Sequence, residues 1–455
     1  MKKHCLLLFC LICIPLMGQS TYKPDWESID KRPVPAWFEN AKFGIFIHWG
    51  LYSQTAGEWK GHPTEGGEHF MLYERIPLKE YATIAKDFNP VKFDAKKWVR
   101  AAKHAGMKYL VYTTKHHDGF CMFDSQYTDF SISRCAFKEH PKADVAKYVF
   151  EAFRKEGFMT GAYFSKPDWH NQDYWWDYFA TPNRNVNYKI ERHPEKWEAF
   201  KTYTHNQIGE LMSNYGTIDI LWLDGGWVSP RNNQDIDMPQ IAAMARAKQP
   251  GLLVVDRTIH GKYENYQTPE QKIPEHQLPY PWESCVTLTT DWGWVKNPVY
   301  KTPNRIISIL MEVVAKGGNL LLGVGPTAEG LIEQPTVKRL QEIGRWMQKN
   351  GKAIYHTRIT PNYHCGNVWF TADKNGRTLY ALYALPEGET LPAVIEWEGN
   401  VPERGTSVRL LSTGQRMKWI ERDGKVAVTL PAKLAGSTEP IALQFDTSLP
   451  KQNKK

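Results

Sequence analysis

TIDILWLDGGWVSP, residues 217–230, is the stretch on which the fold turns. From Ile218 to Leu223 apolar side chains fill nearly every position, the mark of a strand buried on both faces, as in a parallel sheet. The run stops at Asp224, and Gly225, Gly226 and Trp227 follow. A carboxylate at the end of a buried strand, with two glycines that let backbone or ligand come close, is a poor choice for packing alone. In a parallel α/β barrel the C-terminal strand ends form the active-site face, which makes Asp224 a candidate catalytic carboxylate. The competing reading is a helix N-cap after a strand-to-helix loop, where Asp is common.

The same pattern recurs on both sides of this stretch. FGIFI (43–47) ends in His48, Trp49 and Gly50, and KYLVYTT (108–114) ends in Lys115, His116, His117 and Asp118. Phe158 to Phe164 runs into Ser165 and an aromatic loop from Trp169 to Tyr178, and Leu252 to Val255 ends in Asp256 and Arg257. A long loop then leads to Pro281, Trp282 and Glu283, with Glu283 at the end of a short apolar approach; further strands are expected at NLLLGV (319–324) and at 353–355, the last closing the series. Between them, 78–88, 94–105, 143–156, 195–215, 238–247, 304–315 and 335–349 carry helical periodicity. About eight strands with crossover helices is what a closed (β/α)8 barrel requires, so residues 19–355 are read as a TIM-like barrel. An open doubly wound sheet is the rival, but no GxGxxG follows the first strand. After residue 356 period-two runs replace helices: Leu379, Ala381, Tyr383, Leu385; Val426, Val428, Leu430; Ile441, Leu443, Phe445. With the Asp423–Gly424 hairpin signal, residues 356–455 read as an antiparallel β-sandwich.

The chain has 455 residues, enough for two or three domains. Residues 1–18 resemble a secretory signal, with Lys2 and Lys3 before an apolar core from Leu6 to Met17 that is too short to span a bilayer. An exported protein, periplasmic or secreted, is expected, with no membrane span once the signal is removed. Cys5, Cys10 and Cys13 leave with it; Cys121, Cys135, Cys285 and Cys365 are far apart and encode neither a disulfide framework nor a zinc site. A net charge of +8 without a basic run in the body of the chain does not imply nucleic acid.

The polar residues fall at one repeated place. His48, His116, His117, Asp224, Asp256, Arg257 and Glu283 stand at strand ends, with Trp49, Trp59, Trp222, Trp227 and Trp282 beside them. Two carboxylates among neutral hydrogen-bonding groups and indoles are the equipment of glycoside hydrolysis, with the acids about 5–5.5 Å apart in retaining enzymes. No metal or other cofactor is expected. Adjacent histidines on a strand point to opposite sides, no HExxH occurs, and Glu68–His69 lacks the second histidine. The GxSxG elbow of a serine hydrolase is absent too.

FGIFIHWGLYS (43–53), GEWKG (57–61), KYLVYTTKHHDGFCMFDSQYTDFSI (108–132), LWLDGGW (221–227), WESCVTLTTDWGW (282–294) and NLLLGVGPTAEG (319–330) together resemble glycoside hydrolase family 29, the retaining α-L-fucosidases. The resemblance spans almost the whole barrel in the family's order. It implies exo-acting hydrolysis of terminal α-L-fucosyl residues on a glycan, with Asp224 as nucleophile. It implies Glu283 as general acid/base, preferred over Glu58, Glu264 and Glu270 because its WES resembles a WET-type motif of the family. His48, His116 and His117 match positions that hold fucose hydroxyls, and Glu58 and Trp59 match an EW pair near the sugar. Arg257 matches a sugar-contacting arginine, Tyr163 and Trp222 match walls of the pocket, and Trp227 either packs against the C6 methyl or is structural. After GAYFS (161–165), KPDWHNQDYWW departs from the family's shorter turn and is placed on the aglycone side. The alternatives are a glycosidase for a related sugar such as L-galactose and a glycan-binding homologue without activity.

Overall fold

The computed structural model describes residues 34–447 apart from 66, 258 and 260–262; the expected secretory signal lies outside them. Seven parallel strands form one sheet: β1 (Phe43–Ile47), β2 (Tyr109–Lys115), β3 (Met159–Ser165), β4 (Ile220–Asp224), β5 (Leu253–Asp256), β6 (Glu283–Thr287) and β7 (Asn319–Val324). Their order is β5-β4-β3-β2-β1-β7-β6, so β1 pairs with both β2 and β7 and the sheet curls round. Nearly every strand residue is buried, as the apolar runs required. Alternation along β4 decides which way each side chain points. Ile220 and Trp222 pack inside the barrel with Phe46, Tyr109 and Tyr163, whereas Leu221 and Leu223 pack outward against helices. Asp224 has the same parity as Trp222 and therefore points inward.

The eighth place is irregular. Residues 353–355 do not form the closing strand, because the chain leaves the preceding helix through a 3-10 turn at Gly351–Ala353. The gap between β5 and β6 is instead spanned by residues 265–271. Asn265 exchanges hydrogen bonds with Val254 on one side, and Gln267 and Glu270 form parallel bridges to Trp282 and Cys285 on the other. Pro269 has no N–H to donate, so this segment makes isolated bridges rather than a ladder.

Six main helices surround the sheet: α1 (Ala95–His104), α2 (Val145–Lys155), α3 (Pro194–Asn214), α4 (Met238–Lys248), α5 (Pro303–Ala315) and α6 (Gln334–Asn350). The Asp94 side chain caps α1, accepting from the Lys96 amide, and Thr302 caps α5 by accepting from the Arg305 amide. The periodicity at 78–88 resolves into a short helix, Leu78–Tyr81, and a 3-10 turn, Ala82–Lys86. No helix among the described residues is long and apolar enough to cross a membrane.

The C-terminal part is antiparallel. One sheet contains β8 (His364–Cys365), β9 (Val368–Ala372), β10 (Thr378–Tyr383), β12 (Arg409–Leu410) and β15 (Ile441–Asp446); the other contains β11 (Val394–Glu398), β13 (Lys418–Arg422) and β14 (Lys425–Thr429). Leu379, Ala381, Leu443 and Phe445 meet Ile395, Trp397, Val426 and Val428 to fill the sandwich. Asp423 (φ 52°) and Gly424 (φ 79°) both take the left-handed conformation that a two-residue hairpin needs. The opposite face of β10 and β15 is also buried: Tyr380, Leu382 and Ala442 belong to the core of the barrel.

Candidate active site

A cavity of about 250 Å³ opens at the C-terminal ends of the strands. Asp224, the last residue of β4, lies in it. Its Oδ1 accepts from Arg257 Nη1 and from the Gly225 amide, each at 2.7 Å, and its Oδ2 accepts from the Tyr163 hydroxyl at 2.8 Å. His117 Nε2 stands 3.6 Å from the same Oδ2. Burial pushes the carboxyl up, but the Arg257 guanidinium above all, with the Gly225 amide and the Tyr163 hydroxyl, outweighs it and holds Asp224 well below the usual carboxylate range. The turn depends on Gly225, at φ 88°, where a Cβ would come within 2.2 Å of Pro167 Cδ. Asp224 caps no helix; its carboxylate faces the cavity with its donors around it.

Arg257 follows β5, and its amide extends the ladder by donating to the Leu223 carbonyl. One arm of its guanidinium holds Asp224 and the other holds Glu270, whose second oxygen accepts from Trp292 Nε1 at 2.9 Å. Two carboxylates thus share one guanidinium. Glu270 is partly exposed at the mouth and stands on the irregular segment that fills the eighth place.

Glu283 is not in this cavity, which corrects the expectation. It is the first residue of β6, in register with Asn319 at the start of β7, whereas Asp224 is the last residue of β4. It does point into the barrel, but at the N-terminal end. There it is fully buried and accepts from the Tyr109 hydroxyl at 2.6 Å and from Trp222 Nε1 at 3.2 Å. Burial pushes its carboxyl up to about 7, against the pull of the Tyr109 and Trp222 donors. Trp222 separates the two acids, lining the cavity with its ring and donating to Glu283 behind it.

Glu58 and Trp59 are a second correction. They form a two-residue hairpin arm with His62–Pro63 and line a different surface depression, where Glu58 pairs with Lys296 at 2.5 Å. Glu68 and His69, ten residues on, enter the cavity instead. Burial pushes Glu68 up to about 8, although backbone amides including that of Gly293 favour its ionised form. His69 stacks on His117 with ring centroids 5.1 Å apart.

His48, His116, His117, Tyr163 and Trp222 all line the cavity, as expected. The strand rule that would set His116 and His117 on opposite sides does not apply, because β2 ends at Lys115. Both rings enter the cavity, 4.4 Å apart. Burial pushes His48 and His116 down to about 3 and holds His69 and His117 well below the usual imidazole range. Four neutral imidazoles offer both donors and acceptors to hydroxyl groups. Of the five tryptophans singled out, Trp222 and Trp227 line the cavity. Trp49 and Trp282 are core residues. Trp292, which stacks on His48 at 4.7 Å, was the tryptophan missed. Its signal was the WGW following β6. The long loop after β3 also reaches the cavity: Arg184 lines its mouth, over the rings of Tyr73 and Trp227.

An α-L-fucosidase family model matches residues 12–352. The chain is 31% identical to human plasma α-L-fucosidase, covering 92% of this chain and 90% of that protein. Among solved structures, α-L-fucosidase isoenzyme 1 of Paenibacillus thiaminolyticus superposes with a TM-score of 0.76 at 32% identity, covering 90% of this chain and 98% of that one. A Bacteroides thetaiotaomicron GH29 α-L-fucosidase superposes with a TM-score of 0.77 at 27% identity, over 91% of this chain and 97% of that one. That structure is a covalent intermediate trapped with 2-fluoro-fucosyl fluoride in a variant with glutamine in place of a glutamate. By sequence, architecture and the composition of its cavity, the chain belongs to the α-L-fucosidases of glycoside hydrolase family 29.

Proposed function

We infer that the protein is a retaining α-L-fucosidase that releases terminal α-L-fucosyl residues from glycans, with Asp224 as nucleophile and Glu270 in place of Glu283 as acid/base. The observation that carries this reading is the shared guanidinium: Arg257 holds an ionised, buried Asp224 and a partly exposed Glu270 at the rim of a cavity sized for one sugar. A cavity rather than a long groove favours exo action.

In the first step an Asp224 oxygen attacks the anomeric carbon and the bond to the aglycone oxygen breaks. That oxygen takes a proton from Glu270, leaving a β-fucosyl ester on Asp224. In the second step Glu270 takes a proton from water, the water oxygen attacks the same carbon, and Asp224 leaves. Two inversions return α-L-fucose. Trp222 and Trp292 suit the apolar face of the pyranose, and His48, His69, His116 and His117 suit its hydroxyls. Glu68, with its carboxyl raised to about 8, serves as a neutral hydroxyl partner rather than a second base near pH 7. The Arg184 loop frames the aglycone. The basic, apolar N-terminal segment supports export.

Azide distinguishes the two roles. With an activated aryl α-L-fucoside, Asp224→Ala in azide should yield β-fucosyl azide, because azide enters where the nucleophile stood. Glu270→Ala should yield α-fucosyl azide, because azide replaces water on the ester. An α product from the first variant or a β product from the second contradicts the assignment; NMR of the azide reads it directly.

A further inference from the structure

His69, His116 and His117 come from two separate segments, yet their ligand nitrogens all lie within 4.8 Å of one another. His117 carries further information in its tautomer. The Ser165 hydroxyl has one hydrogen and gives it to the Pro167 carbonyl at 2.6 Å. The 2.6 Å contact between Ser165 Oγ and His117 Nδ1 therefore has the imidazole as donor. That leaves His117 Nε2 as a bare lone pair, 3.6 Å from Asp224 Oδ2, which is also an acceptor. A histidine fixed through Nδ1–H with Nε2 free is the usual arrangement of a metal-ligating imidazole. His69 Nε2 and His116 Nδ1 are buried and meet no hydrogen-bond partner among the described residues. Three imidazoles and one carboxylate suit Zn²⁺, at about 2.0–2.1 Å per nitrogen, far better than they suit Ca²⁺ or Mg²⁺.

We propose that His69, His116, His117 and Asp224 Oδ2 form a reversible inhibitory site for a divalent transition-metal ion, with Zn²⁺ as its type ligand, at the place where the sugar binds. Asp224 Oδ1 stays with Arg257 while Oδ2 turns to the ion, so the nucleophile is engaged and the histidines are withdrawn from sugar hydroxyls. Small side-chain rotations bring the nitrogens to bonding distance. The ion takes no part in turnover. The inhibitory half rests on the sugar-site reading given above; the binding half does not.

Cys285 lines the same cavity and is the rival ligand. The test uses the full chain, stripped with chelator and then titrated with Zn²⁺ by equilibrium dialysis and with Co²⁺ by absorption. The expected result is one ion per chain, with an apparent Kd that rises as L-fucose is added. Co²⁺ should give visible d–d bands without a near-ultraviolet thiolate charge-transfer band. His69→Gln should weaken Zn²⁺ binding at least tenfold and Cys285→Ser should leave it unchanged. No saturable binding, a thiolate band, or affinity indifferent to His69→Gln overturns the site. The Co²⁺ spectrum of the unaltered chain decides the ligand set even if a variant fails to fold. Zn²⁺ should also inhibit hydrolysis of an aryl fucoside competitively. Binding as described but with non-competitive inhibition overturns the shared location, and a fucosidase that binds no ion leaves the catalytic reading intact.

Discussion

Asp224 was legible because its chemistry and its position coincide: a carboxylate ends an apolar strand whose C-terminal end lies on the rim of the barrel. Glu283 misled because WES supplies a carboxylate beside a tryptophan without showing at which end of the strand it stands. One register relation, Glu283 opposite Asn319, puts it at the wrong end. Glu270 gave no comparable signal, since it follows Pro269 in a stretch with neither strand nor helix periodicity. The environment of Glu283 makes a pH prediction. Its carboxyl is raised to about 7 in the folded chain, so folding favours the protonated form and the folded state holds the extra proton between the ordinary glutamate value and about 7. Its contribution to stability is thus fully present below the ordinary value and is lost as pH rises through 7. Glu283→Gln, which keeps a partner for Tyr109 and Trp222, should raise Tm relative to the parent at pH 8 and bring little or no gain at pH 5. It should also retain most fucosidase activity, whereas Glu270→Gln should lower kcat/KM on a poor leaving group by roughly 10²–10⁴. Tm at the two pH values and rates on aryl and oligosaccharide substrates check both statements.

At the level of elements, the site is held by neighbours of β4. Lys166, just past β3, donates its amide to the Asp224 carbonyl, and its ammonium reaches across β4 to Asp256 at the end of β5, 2.5 Å away. Both side chains are buried. The pair clasps the strand that carries Asp224, and Arg257 begins where the clasp ends. Removing one partner strands a buried charge: Lys166→Met should cost about 3–5 kcal/mol of unfolding free energy by urea denaturation, and adding Asp256→Leu should recover part of it. Gly225→Ala, with its Cβ driven into Pro167, should reduce kcat more than it changes KM, measurable in steady-state kinetics. The alternation of strand and helix was readable from periodicity because it repeats a single burial rule. The eighth place was not, because isolated bridges around a proline leave no period to read.

At the scale of the whole molecule, the sandwich is part of the scaffold. The period-two reading found the face of β10 that fills the sandwich but not its other face, where Tyr380 and Leu382 join the barrel core. Trp346 of α6 donates to the Pro440 carbonyl at 2.7 Å across the same junction. A chain ending at residue 356 would expose that apolar face, so it should fail to give soluble, active protein, and the full chain should unfold in one calorimetric transition rather than two. Separate transitions would show that the junction contributes less than this packing indicates.

The proposed proton donor, Glu270, stands on the stave of the barrel whose backbone bonding to β6 is interrupted at Pro269. Lengthening or shortening residues 265–271 would re-aim Glu270 while leaving the register of β4, and hence Asp224, undisturbed. If Asp224 and Glu270 have the roles proposed, attack is anchored to a regular strand and departure to an interrupted one, and the tolerance for new leaving groups can drift, in nature or in a selection experiment, without retuning the carbon-attacking machinery.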